Sequence, residues 1–338
     1  MNALLSIAIP TYNRAAQLAY GLQRFIAQVG ISPAGEVEIR VCDDCSTDNT
    51  AEIVRNLEAK HPFLHYRRQD RNLGLERNLI ACTRDCQGDY LWIFGDDDFL
   101  ETDDALAAVL SILRSGETPF LILNRTRRSF DLSRVLTKNW MRIPAGPVQS
   151  FATLRDFCCR WGIISIIGFI SVNIFLRRPF LAVADEPYYG IMYPQLGMML
   201  EAFARQPCRL VTQPLVCHRT QTLEEKRAAL GHKEQEKDFM SDYNRRDAIY
   251  FSFRLIRFLD RLIAVGAFRY EDLADMREFV FQNCLLKDFL LRNMELAVTL
   301  GVDAEHRDWP LAFSFFDRLH LDDTQRQRLQ DLSKRDAR

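Results

Sequence analysis

Features that mark a membrane or secreted protein are missing from this sequence. The longest apolar run, Gly162–Leu176, carries Ser165, Ser171 and Asn173 and falls short of the roughly 20 residues that a membrane-spanning helix needs. The first residues show neither a basic segment nor a small-residue cleavage pattern, so we expect no secretory signal. These absences predict a cytoplasmic location.

The charge balance and the cysteines argue against two further classes of protein. Lysine plus arginine number 44 and aspartate plus glutamate 45, for a net charge of −1, so no overall positive field attracts nucleic acid. The nine cysteines are typical of free thiols in a reducing compartment. Cys42/Cys45 and Cys82/Cys86 are closely spaced, but no second pair and no histidine pair follows at finger spacing. We therefore expect no structural zinc.

Short apolar segments alternate with helical patterns along the first part of the chain. The predicted strands are Ser6–Ile9, Val37–Val41, Phe63–Tyr66, Tyr90–Phe94 and Phe120–Leu123. Apolar residues at helical spacing predict helices in Leu18–Val29, Ile53–Leu57, Leu75–Cys82 and Asp103–Leu113. This alternation predicts an α/β fold, with a mostly parallel sheet flanked by helices.

The pattern changes in the second half of the chain. Residues 125–150 are polar, rich in arginine and broken by prolines, which is typical of loop or edge structure. An apolar run at Ile163–Phe175 predicts a further strand, and a helix is expected at Gln195–Ala204. The signal is then helical almost to the end. We therefore predict an α/β domain over residues 1–220 and a helical C-terminal region over residues 221–338.

Ligands of an open parallel sheet bind outside the carboxyl ends of its strands, and the first polar cluster there is Pro10–Arg14. A proline-bounded turn with hydroxyl groups and the ring of Tyr12 can hold a nucleobase by stacking and backbone hydrogen bonds. The alternative is a strand-to-helix turn in which Asn13 caps the helix that follows. The turn chemistry alone favours neither.

Two adjacent carboxylates, Asp43 and Asp44, follow the second strand. Ionised carboxylates only accept hydrogen bonds, which suits a ribose hydroxyl or the imino hydrogen of a base. Alternatively, one of them caps a helix together with the polar residues Ser46–Asp48.

The strongest signal is Asp96, Asp97 and Asp98, directly after the apolar strand Tyr90–Phe94. Consecutive carboxylates at the end of a buried strand repel one another, which is costly without a cation. Oxygen ligands of this kind suit Mg²⁺ or Mn²⁺, which join carboxylates to substrate phosphates. The alternative is a solvated acidic turn before the next helix.

Between these clusters lie Arg71, Asn72 and Arg77. Either arginine can hold phosphate oxygens in bidentate fashion. The alternative is a loop at a helix start with one solvated face.

Four sequence blocks follow one another along the chain: SIAIPTYNR, VCDDCSTDNT, RNLGLERN and YLWIFGDDD. Together they resemble the catalytic domain of glycosyltransferase family 2, which has the GT-A fold. The GDDD block with the later segments GIISIIGFIS and YYGIMYPQLG resembles the abequosyltransferase-like branch of bacterial O-antigen and polysaccharide enzymes. The resemblance implies an inverting glycosyltransferase that takes a hexose or deoxyhexose from a nucleotide-diphosphate sugar. It also implies Mn²⁺ or Mg²⁺ and a saccharide or lipid-linked acceptor.

The resemblance assigns roles to the residues of these blocks. We expect Pro10, Tyr12 and Arg14 around the base, and Asp44, with its neighbour Asp43, at the base or ribose. Arg71 and Asn72, with Arg77 near them, are expected at the nucleotide. Asp96 is expected at the ribose with Asp97 beside it, and Asp98 at the metal, with Asp96 as a second candidate ligand. Relatives carry an acidic pair after the acceptor strand, whereas this chain has Pro194–Gln195 there. We therefore expect Glu186, or else Asp185, to be the catalytic base. His218 is a candidate phosphate or metal contact, or else a structural histidine.

The C-terminal region matches no motif, but Arg254, Arg257 and Arg261 interleave with apolar residues in Ala248–Val265. Such a helix can lie on an anionic membrane surface, which would place the protein at the inner face of the plasma membrane. Alternatively, it packs on the catalytic domain or on a second subunit.

Two other functions compete with glycosyl transfer. A sugar-phosphate nucleotidyltransferase normally has a glycine-rich loop after the first strand, where this chain has PTYNR. A non-catalytic nucleotide-sugar binder or assembly scaffold remains the second alternative.

Overall fold

The computed structural model describes residues 3–164, 167–191, 193–220, 245, 248–278 and 284–337. The chain divides into two compact units. Unit 1 comprises Met1–Leu154, Phe169–Asp185 and Gln206–Thr222, and unit 2 comprises Arg155–Gly168, Glu186–Arg205 and Leu223–Arg338. The domain division predicted at residue 220 lies near the end of unit 1, and its functional meaning stays a prediction.

Unit 1 is built on one mixed sheet. Its strands are β1 (Leu5–Thr11), β2 (Val37–Asp43), β3 (Leu64–Arg68), β4 (Tyr90–Ile93), β5 (Phe99–Leu100), β6 (Phe120–Ser129), β7 (Val135–Thr137), β8 (Gln149–Phe151), β9 (Asn173–Leu176) and β10 (Cys208–Thr220). They lie in the order β3-β2-β1-β4-β9-β6-β10-β5, with β7 beside β6 and β8 beside β10. Strands β1 to β4 run parallel to one another, and β6 runs parallel to β10. Strand β9 lies between β4 and β6 and is antiparallel to both. The predicted α/β fold is confirmed.

Helices follow most strands of the parallel part. In chain order they are α1 (Ala15–Val29), α2 (Thr50–Glu58), α3 (Leu75–Arg84), α4 (Ala105–Leu113), α5 (Leu154–Trp161), α6 (Arg177–Leu181), α7 (Pro194–Phe203), α8 (Phe253–Ala264), α9 (Tyr270–Ala274), α10 (Leu286–Thr299), α11 (Trp309–Asp317) and α12 (Asp323–Asp336). Two further short strands, β11 (Arg277–Glu278) and β12 (Cys284–Leu285), pair in unit 2.

The core of unit 1 lies between α1 and the sheet. Leu18, Leu22 and Phe25 recur at spacings of three and four along α1 and are buried. The ring of Phe25 meets Trp92 and Phe94 edge-on, with centroids 5.9 and 4.8 Å apart. Burying one such side chain contributes about 1.5–3 kcal/mol. This packing fixes β4, the strand that leads into the acidic triplet.

The amino ends of the strands are joined by a buried carboxylate, Glu38. It accepts hydrogen bonds from the Ser6 hydroxyl at 2.5 Å, the Gln87 amide at 2.6 Å and Arg40 at 2.8 Å. Burial alone would raise the pKa of Glu38, but these hydrogen bonds outweigh it and hold the pKa below its ordinary value. At Gly88, a Cβ atom would lie only 2.7 Å from the Ser6 backbone nitrogen. We therefore expect the contacts at the amino ends of the strands to stabilise the fold.

The carboxyl ends of β1, β2 and β4 meet at one edge of the sheet. Thr11 pairs with Asp43, and Ala8 pairs with Ile93. The Asp44 amide donates to the Thr11 carbonyl at 2.9 Å, and the Phe94 amide donates to the Ala8 carbonyl at the same distance. The polar residues after these three strands therefore share one edge, as the sequence predicted.

Two predictions about the second half differ from the structure. The apolar run Ile163–Phe175 does not form one strand, because among its described residues only Asn173 onward is extended and Ile170–Val172 is a 3₁₀ turn. Strand β6 continues to Ser129, into the segment predicted as loop or edge, because it pairs with β10 as far as Thr220. Long-range pairing therefore overrides the polar composition of these residues.

The apolar face of α8 is buried within unit 2. Its buried residues are Phe253, Leu255, Ile256, Phe258, Leu259 and Leu262. Phe253 meets Trp309 of α11 edge-on, with ring centroids 5.0 Å apart. This burial favours the alternative in which the helix packs on other protein elements. Across the part of the chain that the structure describes, no helix is long and apolar enough to span a bilayer.

Candidate functional site

A cleft of about 490 Å³ opens at the carboxyl edge of the sheet in unit 1. All four sequence blocks contribute to its lining. The predicted residues that line it are Pro10, Tyr12, Arg14, Asp44, Asn72, Asp96 and Asp97. Its volume lies in the range of small-molecule sites. The predicted residues Asp43, Arg71, Arg77, Asp98 and His218 are not part of this lining.

The first block is joined to the second by Asn13. Its backbone lies in the left-handed region, with φ of 51°, and its side-chain oxygen accepts from the Thr47 amide at 2.7 Å. Asn13 therefore does not cap α1, as one alternative expected. Instead, Asp48 accepts from the first amides of two helices, Ala15 at 3.1 Å and Thr50 at 3.0 Å. This frame leaves the ring of Tyr12 45% exposed on the cleft.

The two carboxylates after β2 have different surroundings. Asp43 is fully buried, and it accepts from the Ser46 amide at 2.8 Å and from the Tyr66 hydroxyl. Asp44 lines the cleft, but both of its oxygens accept backbone amides, from Leu73 at 2.6 Å and Gly74 at 2.9 Å. Asp43 thus fixes the turn after β2, and Asp44 fixes the loop before α3.

The loop that Asp44 holds carries part of the cleft wall. Asn72 accepts from the Gly74 amide at 3.0 Å, and Gly74 has φ of 81°, which favours glycine. Leu75 begins α3 and is 62% exposed at the cleft. Arg71 and Arg77 are exposed.

Asp96 and Asp97 face the cleft together with Arg14. The Thr11 hydroxyl donates to Asp96 at 2.8 Å, Arg14 lies 3.8 Å from the same carboxylate, and Arg14 forms an ion pair with Asp97. Burial, together with the charge of Asp97, raises the pKa of Asp96 to about 6. The site is therefore crowded with negative charge that Arg14 only partly offsets.

Asp98 lies deeper than its neighbours. It is 3% exposed, and its two oxygens accept from the Ser171 hydroxyl and from the Arg219 amide, the latter at 3.3 Å. Burial, together with the charge of Asp97, raises the pKa of Asp98 well above its ordinary value. Each oxygen retains a lone pair beyond the one bond described.

His218 lies beside Arg219 on β10. Its ring packs on Phe169, with centroids 4.4 Å apart, and its Nδ1 atom is buried without a hydrogen-bond partner among the residues that the structure describes. Burial and the charges of Arg125 and Arg127 lower the pKa of His218 to about 2, so the imidazole is neutral at neutral pH.

The donor types at this edge, carboxylates and a neutral imidazole, suit a divalent cation. Among the described residues, however, Asp96, Asp98 and His218 do not bring their ligand atoms within 4.8 Å of one another. Burial first, and repulsion by Asp97 second, raise the pKa values of Asp96 and Asp98, and a cation would favour the ionised form of both carboxylates. A neutral imidazole with an unpartnered ring nitrogen is also a suitable ligand. Asp303, Glu305 and His306 also group closely, in unit 2. They are less suited to hold a cation, because Arg254 already forms a bidentate pair with Asp303.

Two residues around the site, Arg125 and Ser171, were not predicted from the sequence. Arg125 is 4% exposed and lies between the rings of Trp140 and Phe169, 4.6 and 4.0 Å from their centroids. Burial lowers its pKa to about 9, although Asp98 opposes the shift. Ser171 holds Asp98 and accepts from the Gly95 amide. Arg125 lies in no recognisable motif, whereas Ser171 ends the segment GIISIIGFIS. Only the folded sheet brings the two residues to the triplet.

The two candidate bases are distinguished by their partners. Asp185, in unit 1, is 5% exposed and pairs with Arg84 at 2.8 Å. Glu186, in unit 2, begins a 3₁₀ turn (Glu186–Tyr188) and is exposed. Neither residue is in the cleft lining, and the choice between them as the base stays a prediction.

Comparison with known sequences identifies relatives of this chain. The model of the family described as Glycosyl transferase family 2 matches residues 6–172. Abequosyltransferase RfbV of Salmonella typhimurium is 30% identical over 225 residues, which cover 63% of this chain and 66% of that protein. An uncharacterized glycosyltransferase of Mycoplasma pneumoniae is 26% identical over 52% of this chain and 56% of that protein. The chain thus spans less than two thirds of the length of both relatives.

Solved structures share the fold at low sequence identity. TarS 1-349 of S. aureus, in complex with UDP, aligns with a TM-score of 0.55 and 15% identity over 99% of this chain and 88% of that chain. The mannosyltransferase PcManGT of Pyrobaculum calidifontis, in complex with GDP-Man and Mn²⁺, aligns with a TM-score of 0.50 and 16% identity over 100% of this chain and 86% of that chain. The fold is that of GT-A proteins, and residues 6–172 form a glycosyltransferase family 2 domain.

Proposed function

We propose that this chain is an inverting glycosyltransferase. It moves a hexose or deoxyhexose from a nucleotide-diphosphate sugar to a hydroxyl of a lipid-linked or growing surface saccharide. The observation that carries this proposal is the meeting of all four sequence blocks in one cleft of about 490 Å³. The abequosyltransferase among the relatives, and the neighbouring structures with UDP-GlcNAc and GDP-Man, support the choice of donor.

The nucleoside binds in the cleft against Tyr12 and Leu75. Both side chains are exposed there, at 45% and 62%, so a base that stacks on them buries apolar surface. Asn72 supplies an acceptor oxygen close to the ribose or the base edge, and Asp44 contributes indirectly, by holding the loop that carries Asn72. Asp96, which Thr11 holds in the same cleft lining, is available to the ribose or phosphate that follows the base.

The diphosphate binds at the acidic triplet with Mn²⁺ or Mg²⁺. Asp96 and Asp98 would supply the carboxylate ligands, and His218 would be a candidate third ligand. The bound cation supplies neutralisation of the charge that develops on the leaving diphosphate. Arg14 neutralises Asp97 and remains within reach of Asp96. It thereby lowers the electrostatic cost of bringing further negative charge to this edge of the sheet.

Glu186 acts as the general base. Its carboxylate takes the proton of the acceptor hydroxyl while that oxygen attacks the anomeric carbon. The bond from the anomeric carbon to the diphosphate breaks on the opposite side, so the configuration inverts. The nucleoside diphosphate leaves with the bonding electron pair. Asp185 instead holds Arg84 and so fixes the end of unit 1 that precedes Glu186.

The test is release of nucleoside diphosphate from a panel of UDP-, CDP- and GDP-sugars, with Mn²⁺ or with EDTA. We expect release from at least one donor only when Mn²⁺ is present, and no release with Asp98→Asn. The matched control is Asp103→Asn, because the Asp103 side chain is 99% exposed and lies outside the cleft lining. Tight nucleotide binding without release from any donor would contradict catalysis and favour the scaffold alternative.

A further inference from the structure

Two arginines of α8 lie on the same side of that helix. Arg254 and Arg261 are separated by two helical turns, so their side chains point in nearly the same direction. Within unit 2, Arg254 contacts Gly190 and Arg261 contacts Glu201 of α7, so both arginines reach the segment Glu186–Phe203. Arg257, between them, is exposed. The helix therefore directs Arg254 and Arg261 toward the segment Glu186–Phe203, and Arg257 toward solvent.

Arg254 holds the carbonyl of Gly190. Its Nη1 atom donates to the Gly190 oxygen at 2.7 Å, and its Nε atom donates to both oxygens of Asp303 at 2.9 and 3.0 Å. The side chain of Asp303 is 1% exposed and that of Arg254 17%. A bidentate pair with a buried carboxylate fixes the plane of the guanidinium. The fixed guanidinium then holds Nη1 at the Gly190 carbonyl.

Gly190 is suited to this contact in two ways. Its φ of 87° lies in the left-handed region, where a side chain is strained. A Cβ atom at this position would also lie 3.3 Å from Arg254 Nη1. The turn after Tyr189 and the approach of Arg254 thus depend on the same glycine.

Arg261 acts on the other part of the segment through Glu201. Arg261 Nη2 lies 3.6 Å from Glu201, and Glu201 accepts a hydrogen bond from the hydroxyl of Tyr188. Tyr188 is fully buried, and its ring lies against Gly197, where an added Cβ would approach it to 2.0 Å. Tyr188 is therefore fixed at its hydroxyl and along its ring.

We propose that α8 is a positioning element for the acceptor side of the reaction. Arg254 at Gly190 and Arg261 through Tyr188 fix the segment Glu186–Gly190 from both sides, and so they set the orientation of Glu186. This inference rests on the proposed function of Glu186 as the base. It assigns to the helical C-terminal region the task of ordering a catalytic segment, and to Arg254 and Arg261 internal contacts in place of lipid headgroups.

The test compares Arg254→Ala and Arg254→Lys with Arg257→Ala by hydrogen–deuterium exchange of the full chain. We expect exchange in residues 186–191 to accelerate about tenfold in Arg254→Ala, because the segment loses a charge-assisted bond. Arg254→Lys should restore part of the protection, and Arg257→Ala should leave it unchanged. Unchanged exchange in Arg254→Ala would overturn the proposal.

A second measurement separates positioning from loss of fold. Turnover of the donor should fall in Arg254→Ala, while the affinity for the nucleoside diphosphate, measured by calorimetry, stays within about twofold of the parent chain. A parallel loss of nucleotide affinity and thermal stability would overturn the proposal and show a merely structural role. Gly190→Ala provides an independent variant with the same expected result. The exchange result stands even if the parent chain binds no nucleotide, so failure of the proposed function is distinguishable.

Discussion

Replacement of Asp44 by asparagine tests whether this carboxylate acts by holding the loop before α3. Both Asp44 oxygens accept backbone amides, at 2.6 Å from Leu73 and 2.9 Å from Gly74, and the residue is 3% exposed. Asparagine keeps one acceptor oxygen and turns an NH₂ group toward the other amide. One buried amide then loses its partner.

The size of the effect follows from these two bonds. A hydrogen bond to a charged group contributes about 1.5–3 kcal/mol, and leaving a buried donor unsatisfied costs a similar amount. The loop carries Asn72 and Leu75 into the cleft lining, so its displacement weakens nucleotide binding. We expect Asp44→Asn to lower the affinity for the nucleoside diphosphate roughly tenfold to a hundredfold, which corresponds to about 1.4–2.8 kcal/mol.

The assay is calorimetric titration of the nucleoside diphosphate together with amide exchange at Leu73 and Gly74. Asp70→Asn is the matched control, because it makes the same change of charge at an exposed residue close to the loop. We expect the control to bind as the parent chain does. Weakened binding in Asp44→Asn with unchanged exchange at both amides would refute the reasoning and indicate direct contact with the nucleotide.

Three further predictions concern the base, the sheet and the segment around Tyr188. Glu186→Gln should abolish transfer to the acceptor while nucleotide affinity is retained, and full transfer activity in a product assay would contradict the role of the base. Glu38→Gln should destabilise the protein at neutral pH in urea unfolding. Since the pKa of Glu38 is lowered in the folded state, the difference should vanish as the pH falls through that pKa, and a difference independent of pH would contradict this. Gly197→Ala should lower the melting temperature, because its Cβ would approach the Tyr188 ring to 2.0 Å; an unchanged melting temperature would contradict the packing described.

The sequence was most informative where local pattern and function coincide. Strands β1, β2 and β4 were predictable because their apolar runs are short and end at polar residues. The rule that ligands bind beyond the strand ends then brought Tyr12, Asp44 and Asp96 to one place, and all three line the cleft. Their individual roles stay predictions.

Other features depend on contacts between distant parts of the chain. Nothing in the local sequence of Asp44 shows that it accepts amides 29 and 30 residues further on. The depth of Asp98 likewise depends on Ser171 and on Arg219, 73 and 121 residues away. Sequence spacing identifies the carboxylates, but only the folded sheet determines which oxygens remain available to a ligand.

The function of the helical region was the least predictable. The arginines of α8 are compatible with a membrane surface when the helix is considered alone. Arg254 instead pairs with Asp303, and Arg261 approaches Glu201. These partners are remote in sequence, and neither belongs to a motif.

The most direct test of the central claim is calorimetric titration of CDP, UDP and GDP into the full chain, with Mn²⁺ and with EDTA. The account predicts that at least one of these diphosphates binds only in the presence of Mn²⁺, and that Asp98→Ala removes this binding while the fold is retained by circular dichroism. Absence of binding, or binding that is indifferent to both the metal and the substitution, would contradict a cation-assisted diphosphate site at the acidic triplet.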